Sequence, residues 1–264
     1  MDEVVSCLEN HLLEPSLGLP RNSLLSQVVA LYLVLVVGGS LLYLLLAACS
    51  YYLFFVRFRH RYYPPAAPQP FPGQAWAEIG MSLRAVPTMA HLTLPFFLLE
   101  LRGYSRLYYR LSDFGLAYAL LSCLLFLASS DAAIYFIHRG LHEIPGAYRR
   151  LHKAHHAWKV PTPFAAIAFH PVDGWLQSLP YHLFPFLLPI HARLSLALFV
   201  FVQVWTIAIH DGVRLVPGGW LNGAAHHTLH HSKFRYNYGQ YFTFWDRLCG
   251  SYLDPTDRHG KILQ

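Results

Sequence analysis

Three short stretches of this chain concentrate histidines at spacings that suit metal binding. They are HRGLH at residues 138–142, HKAHH at 152–156 and HHTLHH at 226–231. In a helix, side chains three or four residues apart lie on one face about 5–6 Å from one another, close enough to share an ion. Neutral imidazole is the commonest metal ligand, and histidines are costly to bury without partners. The three stretches therefore predict a metal site.

The number of histidines indicates more than one ion. The chain has 17 histidines, and the three stretches together offer more nitrogen donors than the four ligands that one zinc ion takes. Imidazole suits iron, copper, nickel and zinc alike, so the histidines do not select the metal. The chain also lacks the carboxylate-rich helix motif of ferritin-like diiron sites. In a membrane protein, a pair of redox metals would serve oxygen activation on a lipid. Removing hydrogen from an unactivated carbon requires a redox metal or an organic cofactor, so we expect two redox metals.

Composition places these histidines in a membrane protein. The chain is 55% hydrophobic and only 13% charged, whereas an ordinary soluble domain has about 25% charged residues. The net charge is +6, but the basic residues are scattered among aromatic ones and form no stripe. This pattern favours contact with membrane lipids and argues against nucleic acid as a partner.

Four hydrophobic segments are candidate membrane spans. They lie near residues 26–56, 85–99, 114–137 and 175–209. The first is well above the roughly 20 residues needed to cross a bilayer. The second is short and contains Pro87 and Pro95, which indicates a kinked span or a re-entrant segment. The last is long enough for a hairpin of two short spans.

The charges beside these segments predict an orientation. The basic run RFRHR follows the first span at residues 57–61, so the positive-inside rule places the N-terminus in the lumen and residue 57 onward in the cytosol. Arg102, Arg106 and Arg110 then fall on the lumenal side against this bias, which leaves the number of full crossings open.

Together these features predict an all-α integral membrane protein with about four transmembrane helices. We expect a single membrane-embedded domain over residues 1–264, with a cytosolic helical cap formed by residues 138–174 and 211–264. On this arrangement the histidine stretches emerge on one face of the membrane, where they can build one dimetal site.

The three stretches resemble the HxxxH, HxxHH and HxxHH boxes of the fatty acid hydroxylase and sterol desaturase superfamily of membrane diiron enzymes. The likeness narrows to the sterol C-5 desaturases. It is carried by IHRGLHEIPGAYRRLHKAHHAWKVPTPFAAIAFHPVDGWLQSLPYH, by WTIAIHDG, by NYGQYFTFWDRLCGSY and, upstream, by FFLLELRGYS. It runs from about residue 26 to residue 252.

The resemblance implies a multi-pass enzyme of the endoplasmic reticulum membrane with its active site facing the cytosol. Such an enzyme introduces the 5,6 double bond into a delta-7 sterol held in the bilayer, using oxygen, two non-haem iron ions, and electrons from NAD(P)H through cytochrome b5 and its reductase. By position, the implied iron ligands are His138, His142, His152, His155, His156, His170, His210, His227, His230 and His231. His226 ranks lower because the HxxHH box needs only the other three histidines of its stretch.

Two residues of the third span are candidates for supporting these ligands. Asp131, Tyr135, His138 and His142 form one stripe along a helix, and an acid within a membrane span is costly and usually functional. Because ligand histidines normally donate their second N–H to a carboxylate or carbonyl, we expect Asp131 to orient one of them. The alternative is an acid at the membrane edge paired with a basic residue. Asp173, Asp211 and Asp246 are weaker candidates for the same role.

Three functional readings remain open from the sequence, and the sterol C-5 desaturase is the first of them. A sister enzyme of the superfamily, a sterol or fatty acyl hydroxylase or a C-4 methyl sterol oxidase, shares the oxidant and differs after the first hydrogen is lost. A catalytically silent metal-binding membrane protein is the third reading.

A basic patch lies in and beside the second histidine stretch, formed by Arg149, Arg150, Lys153 and Lys159. It suits either an acidic electron donor or lipid headgroups.

Overall fold

The computed structural model describes residues 2–63, 68–213 and 219–256 of the chain. Within these ranges the structure is mostly helical, as predicted. The α-helices are α1 (Asp2–Leu8), α2 (Glu14–Leu17), α3 (Leu24–Leu33), α4 (Gly39–Tyr51), α5 (Arg59–Tyr62), α6 (Gln74–Leu101), α7 (Gly115–Glu143), α8 (Pro171–Leu187), α9 (Ala192–His210), α10 (Ala224–Lys233) and α11 (Phe244–Leu248). Strands β1 (Leu107–Tyr108) and β2 (Ile190–His191) form one short parallel pair.

Several shorter helical turns join these elements. Those of π type are Glu9–Leu13, Val34–Gly38, Tyr52–Arg57 and Tyr148–His152, and those of 3-10 type are Leu111–Asp113, His155–Ala157 and Pro163–Ile167. The π turns after α3 and α4 extend these helices without a break into one helical run, Leu24–Arg57. Ser23 caps its start by accepting the Ser26 N–H at 3.2 Å.

Three helices of the described residues are long and apolar enough to cross a membrane: Leu24–Arg57, Gly115–Glu143 and Ala192–His210. The first bears leucines more than 60% exposed, such as Leu41 and Leu45, which water would disfavour and lipid accommodates. The predicted first span falls inside Leu24–Arg57, and the predicted third span, 114–137, coincides with Gly115–Glu143 from its second residue onward. The prediction of about four spans is met only in part.

The second predicted span, 85–99, lies within α6, a continuous helix of 28 residues. It is absent from the three apolar helices because Pro87, His91 and Pro95 take the place of aliphatic residues. The fourth predicted segment, 175–209, divides into α8 and α9, and of this pair α9 is the apolar one. Of the two short spans predicted for this segment, α9 alone is among the apolar helices of the described residues, and β2 lies between α8 and α9.

The predicted cap consists of helical turns and loops at one end of α7 and α9. The turns Tyr148–His152 and Pro163–Ile167 pack on α7 and α9 respectively, and α10 packs on α9. Residues 214–218 and 257–264 of the predicted cap lie outside the described residues. Since α7 and α9 both end in histidines, the histidine stretches share this end. Its cytosolic orientation stays a prediction.

Two buried contacts hold the segment that follows HKAHH. The Tyr43 hydroxyl of α4 donates to the backbone carbonyl of Phe164 at 2.8 Å. Glu78 of α6, which is fully buried, accepts the Thr162 N–H at 3.2 Å and also bonds the Thr162 hydroxyl. Because buried polar groups without partners are costly, these bonds fix where the loop after His156 runs.

Candidate metal centre

The predicted histidines converge into two groups. The five-histidine group consists of His138, His142, His152, His156 and His230, and the four-histidine group consists of His155, His210, His227 and His231. Within each group the candidate ligand atoms all lie within 4.8 Å of one another. All of these side chains are buried except His142, which is partly exposed. Two separate nitrogen clusters are what two ions require.

Helical spacing explains part of this arrangement. His138 and His142 lie one turn apart at the end of α7 and stay in one group. His227 and His231, also four residues apart on α10, likewise stay together, with their Nε2 atoms 3.1 Å apart. The intervening His230 lies on a different side of α10 and joins the other group.

The turn His155–Ala157 separates two neighbouring histidines. His155 joins the four-histidine group and His156 the five-histidine group, and their ring planes are at 78° to each other. The 3-10 turn has about three residues per turn, so adjacent side chains point in widely different directions. One stretch of sequence therefore serves both candidate metal positions.

Hydrogen bonds fix which nitrogen faces inward in the five-histidine group. Three Nδ1–H groups donate to oxygen atoms that can only accept: His138 to the Tyr238 carbonyl at 3.0 Å, His152 to the Asp173 carboxylate at 2.7 Å, and His230 to the Tyr236 carbonyl at 2.7 Å. In a neutral imidazole the other nitrogen, Nε2, then carries a lone pair. All three Nε2 atoms therefore present lone pairs.

The same arrangement occurs in the four-histidine group. The His210 Nδ1–H donates to the Thr206 carbonyl one turn back in α9 at 2.7 Å. The lone pair on its Nε2 then faces the Nε2 atoms of His227 at 2.9 Å and His155 at 3.4 Å. The backbone of a helix thus sets the tautomer of this candidate ligand.

Lone pairs facing lone pairs need a cation between them. The Nε2 atoms of His138 and His152, both without hydrogen, are 3.2 Å apart, which is repulsive unless a positive charge lies between. Ligand nitrogens about 2.1 Å from one ion are separated by about 3.0 to 3.4 Å at octahedral or tetrahedral angles. The close Nε2 separations of 3.0 Å (His156 and His152) and 3.1 Å (His230 and His156) match this. The residues therefore fit a metal ion in each group.

Burial keeps these histidines neutral. Two effects lower the pKa well below 6.5 in four of them: His155, His227, His230 and His231. Removal from water is the larger effect, and repulsion from neighbouring histidines is the second. The pKa of His156 is lowered for the same two reasons. Metals bind the neutral imidazole, so the electrostatic environment favours the form that binds an ion.

We expect the metal-free protein to lose stability in mild acid. The unfolded chain takes up protons below pH 6.5, while the buried histidines with lowered pKa values do not. The free energy of unfolding therefore falls as pH falls, by about 1.4 kcal/mol per such histidine for each pH unit below 6.5. The check is the melting temperature in detergent at about pH 7.5 and 5.5.

The control for this prediction is His60→Ala, since His60 is exposed and outside both groups. It should show the same acid sensitivity as the unsubstituted protein. A melting temperature that does not change between the two pH values would contradict neutral, buried histidines.

His170 and His226 lie outside both groups. His170 caps the start of α8, where its Nδ1 accepts the Val172 N–H at 3.3 Å. The observed contacts do not bring it to an ion, and its predicted role as a ligand stays a prediction. His226 lies against the Tyr252 ring, with centroids 5.8 Å apart.

Asp131 makes different contacts from those predicted. Its carboxylate is buried and accepts the backbone N–H groups of Tyr241 at 2.7 Å and Phe242 at 3.1 Å. The acid that bonds a candidate ligand is Asp173, which bonds His152. Asp131 therefore attaches α7 to the loop after α10. The helical stripe suggested that Asp131 orients a histidine, but the position of a residue on a helix does not determine which donor its carboxylate bonds.

We expect Asp131→Ala to lower stability and to leave the metal in place. The change removes the acceptor for two buried backbone donors, at a cost on the order of 2–4 kcal/mol. The melting temperature should fall while the iron content per folded chain stays unchanged. Loss of iron with an unchanged melting temperature would restore the histidine-orienting role.

Tyr135, the second predicted supporting residue, is fully buried one ring away from the histidines. Its hydroxyl bonds the Ser251 hydroxyl at 2.8 Å and accepts from Arg139 at 2.9 Å. Its ring packs on Tyr238, with centroids 6.2 Å apart, and Tyr238 in turn lies against His138 at 5.5 Å. A supporting role for Tyr135 stays a prediction.

Sequence reasoning missed the backbone acceptors. The carbonyls of Thr206, Tyr236 and Tyr238 set three histidine tautomers, and every residue carries a carbonyl, so residue type gives no signal. Asp173, in FHPVDG, was among the weaker candidates that the sequence offered for this role.

Comparison with known proteins places this architecture in a class. Residues 123–251 match the family model described as fatty acid hydroxylase, which covers all of the candidate ligand histidines. The chain is 47% identical to lathosterol oxidase of Homo sapiens over 247 residues, covering 92% of this chain and 81% of that protein. It is 50% identical to the Delta(7)-sterol 5(6)-desaturase erg3B of Aspergillus fumigatus over 256 residues, covering 94% and 73%.

A third relative, the lathosterol oxidase of Mus musculus, is 44% identical over 269 residues, covering 99% of this chain and 88% of that protein. The chain belongs to the family of the lathosterol oxidases and delta(7)-sterol 5(6)-desaturases. No solved structure matches it. The resemblance inferred from the histidine boxes is confirmed.

Proposed function

We propose that this protein is a sterol C-5 desaturase, which introduces the 5,6 double bond into delta-7 sterols of the lathosterol type. The observation that carries the proposal is the convergence of two buried all-histidine groups at one end of apolar helices. The relatives named for this reaction support the choice of substrate.

Iron is the metal that this chemistry favours. Imidazole donors accept several first-row metals, but hydrogen removal from an unactivated carbon requires a redox-active one, and two irons held by these groups would supply that oxidising power. The Nε2 atoms of the five-histidine group would hold one ion and those of the four-histidine group the other. Tyr238, Tyr236 and Asp173 would keep the ligand lone pairs pointed inward.

The electron count defines what else the protein must receive. Desaturation removes two hydrogen atoms from the sterol, while reduction of O2 to two waters takes up four electrons and four protons. Two further electrons and two protons must therefore come from outside. We propose that they come from NAD(P)H through cytochrome b5 and its reductase, as the family resemblance implies.

The protein's own residues exclude water from most of the centre, and His142 is the partly exposed exception. His152, His230 and His231 are 0% exposed. Ala165 and Ala166 of the turn Pro163–Ile167, and Ala168 directly after it, are likewise fully buried. A dry site strengthens electrostatic interactions and limits side reactions of a strong oxidant. The sterol would reach it from the apolar helices, since such a substrate dissolves in the bilayer.

We further propose a multi-pass protein of the endoplasmic reticulum membrane with the histidine groups at its cytosolic face. The basic run at residues 57–61, at the end of the first apolar helix, supports this orientation. The histidine end of α7 lies on the same side as residue 57 when α6 also crosses, because two crossings alone would return the chain to the lumen. At 28 residues α6 is long enough to cross.

Hydroxylation is the rival reaction, because the matching family model is described as fatty acid hydroxylase. Desaturation and hydroxylation differ only after the first hydrogen is lost, so the product decides between them. A catalytically silent metal-binding protein would form no new sterol.

The test is expression in cells lacking their own C-5 desaturase, fed with lathosterol, with sterols analysed by mass spectrometry. We expect a diene lighter than lathosterol by two hydrogens. A product heavier by one oxygen would indicate a hydroxylase. No new sterol, with an iron-loaded protein present in the membrane, would contradict both enzymatic readings.

A further inference from the structure

A cavity of about 820 Å³ reaches the five-histidine group from the side of the cap. Its lining includes Arg139, His142, Glu143, Tyr148, Phe234 and Arg235. Several of these side chains are exposed, so the cavity opens to the outside. His142, the one partly exposed member of its group, forms part of the inner wall. The cavity is therefore a short route between the protein surface and a candidate metal ligand.

Two aromatic rings occupy this route. The Tyr148 ring lies 5.2 Å from His142 and 5.9 Å from His156, centroid to centroid. The Phe234 ring lies 5.1 Å from His156 and 6.2 Å from Tyr148. Both side chains are only partly buried, so each ring has one edge at the cavity and the other against the histidines.

The backbone at Phe234 is strained to reach this position. Phe234 ends α10 with φ at 65°, in the left-handed region that glycine favours. A bulky residue in this conformation is a real outlier, which the surrounding structure must hold in place. Glycine is the usual residue at such a helix end. The chain instead places a large ring there, against a ligand histidine, which points to a role for the ring.

The chain beside the two rings is strongly basic. Exposed cations follow Tyr148 or flank Phe234 in the sequence, and they are Arg149, Arg150, Lys153, Lys233 and Arg235. Arg235 also lines the cavity. Among the residues that line the cavity, the acid is Glu143, and its carboxylate is already paired with Arg139 at 2.8 Å. We call these five cations and the two rings the donor surface. Such a surface attracts an acidic partner over a distance.

We propose that the donor surface docks an acidic one-electron carrier protein, and that Tyr148 and Phe234 are the last side chains between its cofactor and the histidines. The inference rests on the proposed function, because that reaction needs two electrons from outside. In each docking event the carrier is oxidised by one electron and the metal centre is reduced by one. Two events supply the pair, and the protons arrive separately from water.

An anionic lipid surface would also attract these cations. The structure favours a protein partner because the cations lie next to Tyr148 and Phe234 in the sequence, and these two rings line a cavity that leads to candidate ligand histidines. A flat membrane contact requires neither the cavity nor a strained phenylalanine. Electron transfer requires short distances between partners, which the two rings provide.

The docking test uses the iron-loaded protein in detergent and the soluble haem domain of cytochrome b5 as the probe. The double variant Arg149→Glu, Arg235→Glu should raise the measured dissociation constant by about tenfold or more and make binding less dependent on salt. The control is Arg193→Glu, an exposed cation at the start of α9, far from His210 at the other end of that helix. It should bind as the unsubstituted protein does.

Unchanged binding and unchanged salt dependence in the double variant would overturn the proposal. If the double variant loses affinity only for vesicles containing phosphatidylserine and keeps its affinity for the haem domain, the surface is a lipid contact and the proposal is wrong.

The two rings are tested by transfer rate. Phe234→Gly and Tyr148→Leu should bind the haem domain normally but reoxidise it severalfold more slowly. Because glycine relieves the strained φ of Phe234, the melting temperature of Phe234→Gly should not fall, which separates a transfer defect from misfolding. Transfer at the normal rate in both variants would contradict the role of the rings.

A second source of electrons separates this proposal from the proposed function. Dithionite bypasses docking, so the ratio of haem-domain-driven to dithionite-driven sterol product should fall in the variants. An unsubstituted protein that makes no diene even with dithionite would show that the proposed function is wrong. A ratio that equals that of the unsubstituted protein in every variant would show that only the docking proposal is wrong.

Discussion

His156→Ala should remove the metal from the five-histidine group and abolish sterol oxidation. The Nε2 atom of His156 lies 3.1 Å from that of His142, 3.0 Å from that of His152 and 3.1 Å from that of His230. It is thus central to the group. Since loss of an outer hydrogen-bond partner alone costs 10–100-fold, loss of this ligand should lower product formation by at least about a hundredfold. Iron analysis and sterol analysis of the purified variant are the measurements.

His226→Ala is the matched control. His226 is in the same stretch as three candidate ligands and is equally buried, but it lies outside both groups. It should keep its iron and its activity. Equal losses of iron and activity in His156→Ala and His226→Ala would contradict this prediction. Burial of a histidine would then matter, and the position of its Nε2 atom within a group would not.

Asp173→Ala should have the second largest effect. Asp173 is fully buried and bonds His152 Nδ1 at 2.7 Å, which fixes the tautomer and raises the basicity of the inward nitrogen. Removing such a carboxylate should weaken iron affinity 10- to 100-fold. Asp173→Asn should lose less, because its amide oxygen still accepts from Nδ1–H while the negative charge is gone. Iron titration of the metal-free variants gives the affinities.

Gln177→Ala is the control for the bond between Asp173 and His152. The Gln177 amide donates to the other carboxylate oxygen of Asp173 at 2.8 Å and does not touch His152. Its loss should change iron affinity little. An Asp173→Ala variant that binds iron as tightly as Gln177→Ala would exclude a role for Asp173 in holding His152.

Sequence spacing predicted the clustering of the histidines because several of them lie on regular helices. For His138 with His142, and for His227 with His231, the i, i+4 rule applied directly. The division into two groups was not predictable, because it depends on a 3-10 turn that places His155 and His156 in different groups. The four-residue spacing of His152 and His156 does not show this turn. His210 could be assigned only from the family resemblance, since it stands alone in the sequence.

The acid within α7 shows the opposite outcome. The stripe of Asp131, Tyr135 and His138 on α7 was a sound reading of helical geometry, but a carboxylate bonds whatever donors the tertiary structure brings to it. Those donors are the N–H groups of Tyr241 and Phe242, more than 100 residues away along the chain. Long-range contacts of this kind carry no local sequence signal.

The membrane helices were predictable in place but not in number. The aliphatic runs of α3, α4 and α7 are unambiguous, whereas Pro87 and Pro95 made α6 look interrupted although it is continuous. A proline removes one helical hydrogen bond and distorts the helix locally, and packing of α6 against α3 and α8 maintains the rest.

The most direct test of the central claim is titration of the metal-free protein with ferrous iron, followed by measurement of both bound iron and diene product from lathosterol. The two histidine groups predict that binding saturates at two ions per chain and that product appears only as the second ion binds. Saturation at one ion, or full product formation without iron, would contradict the account.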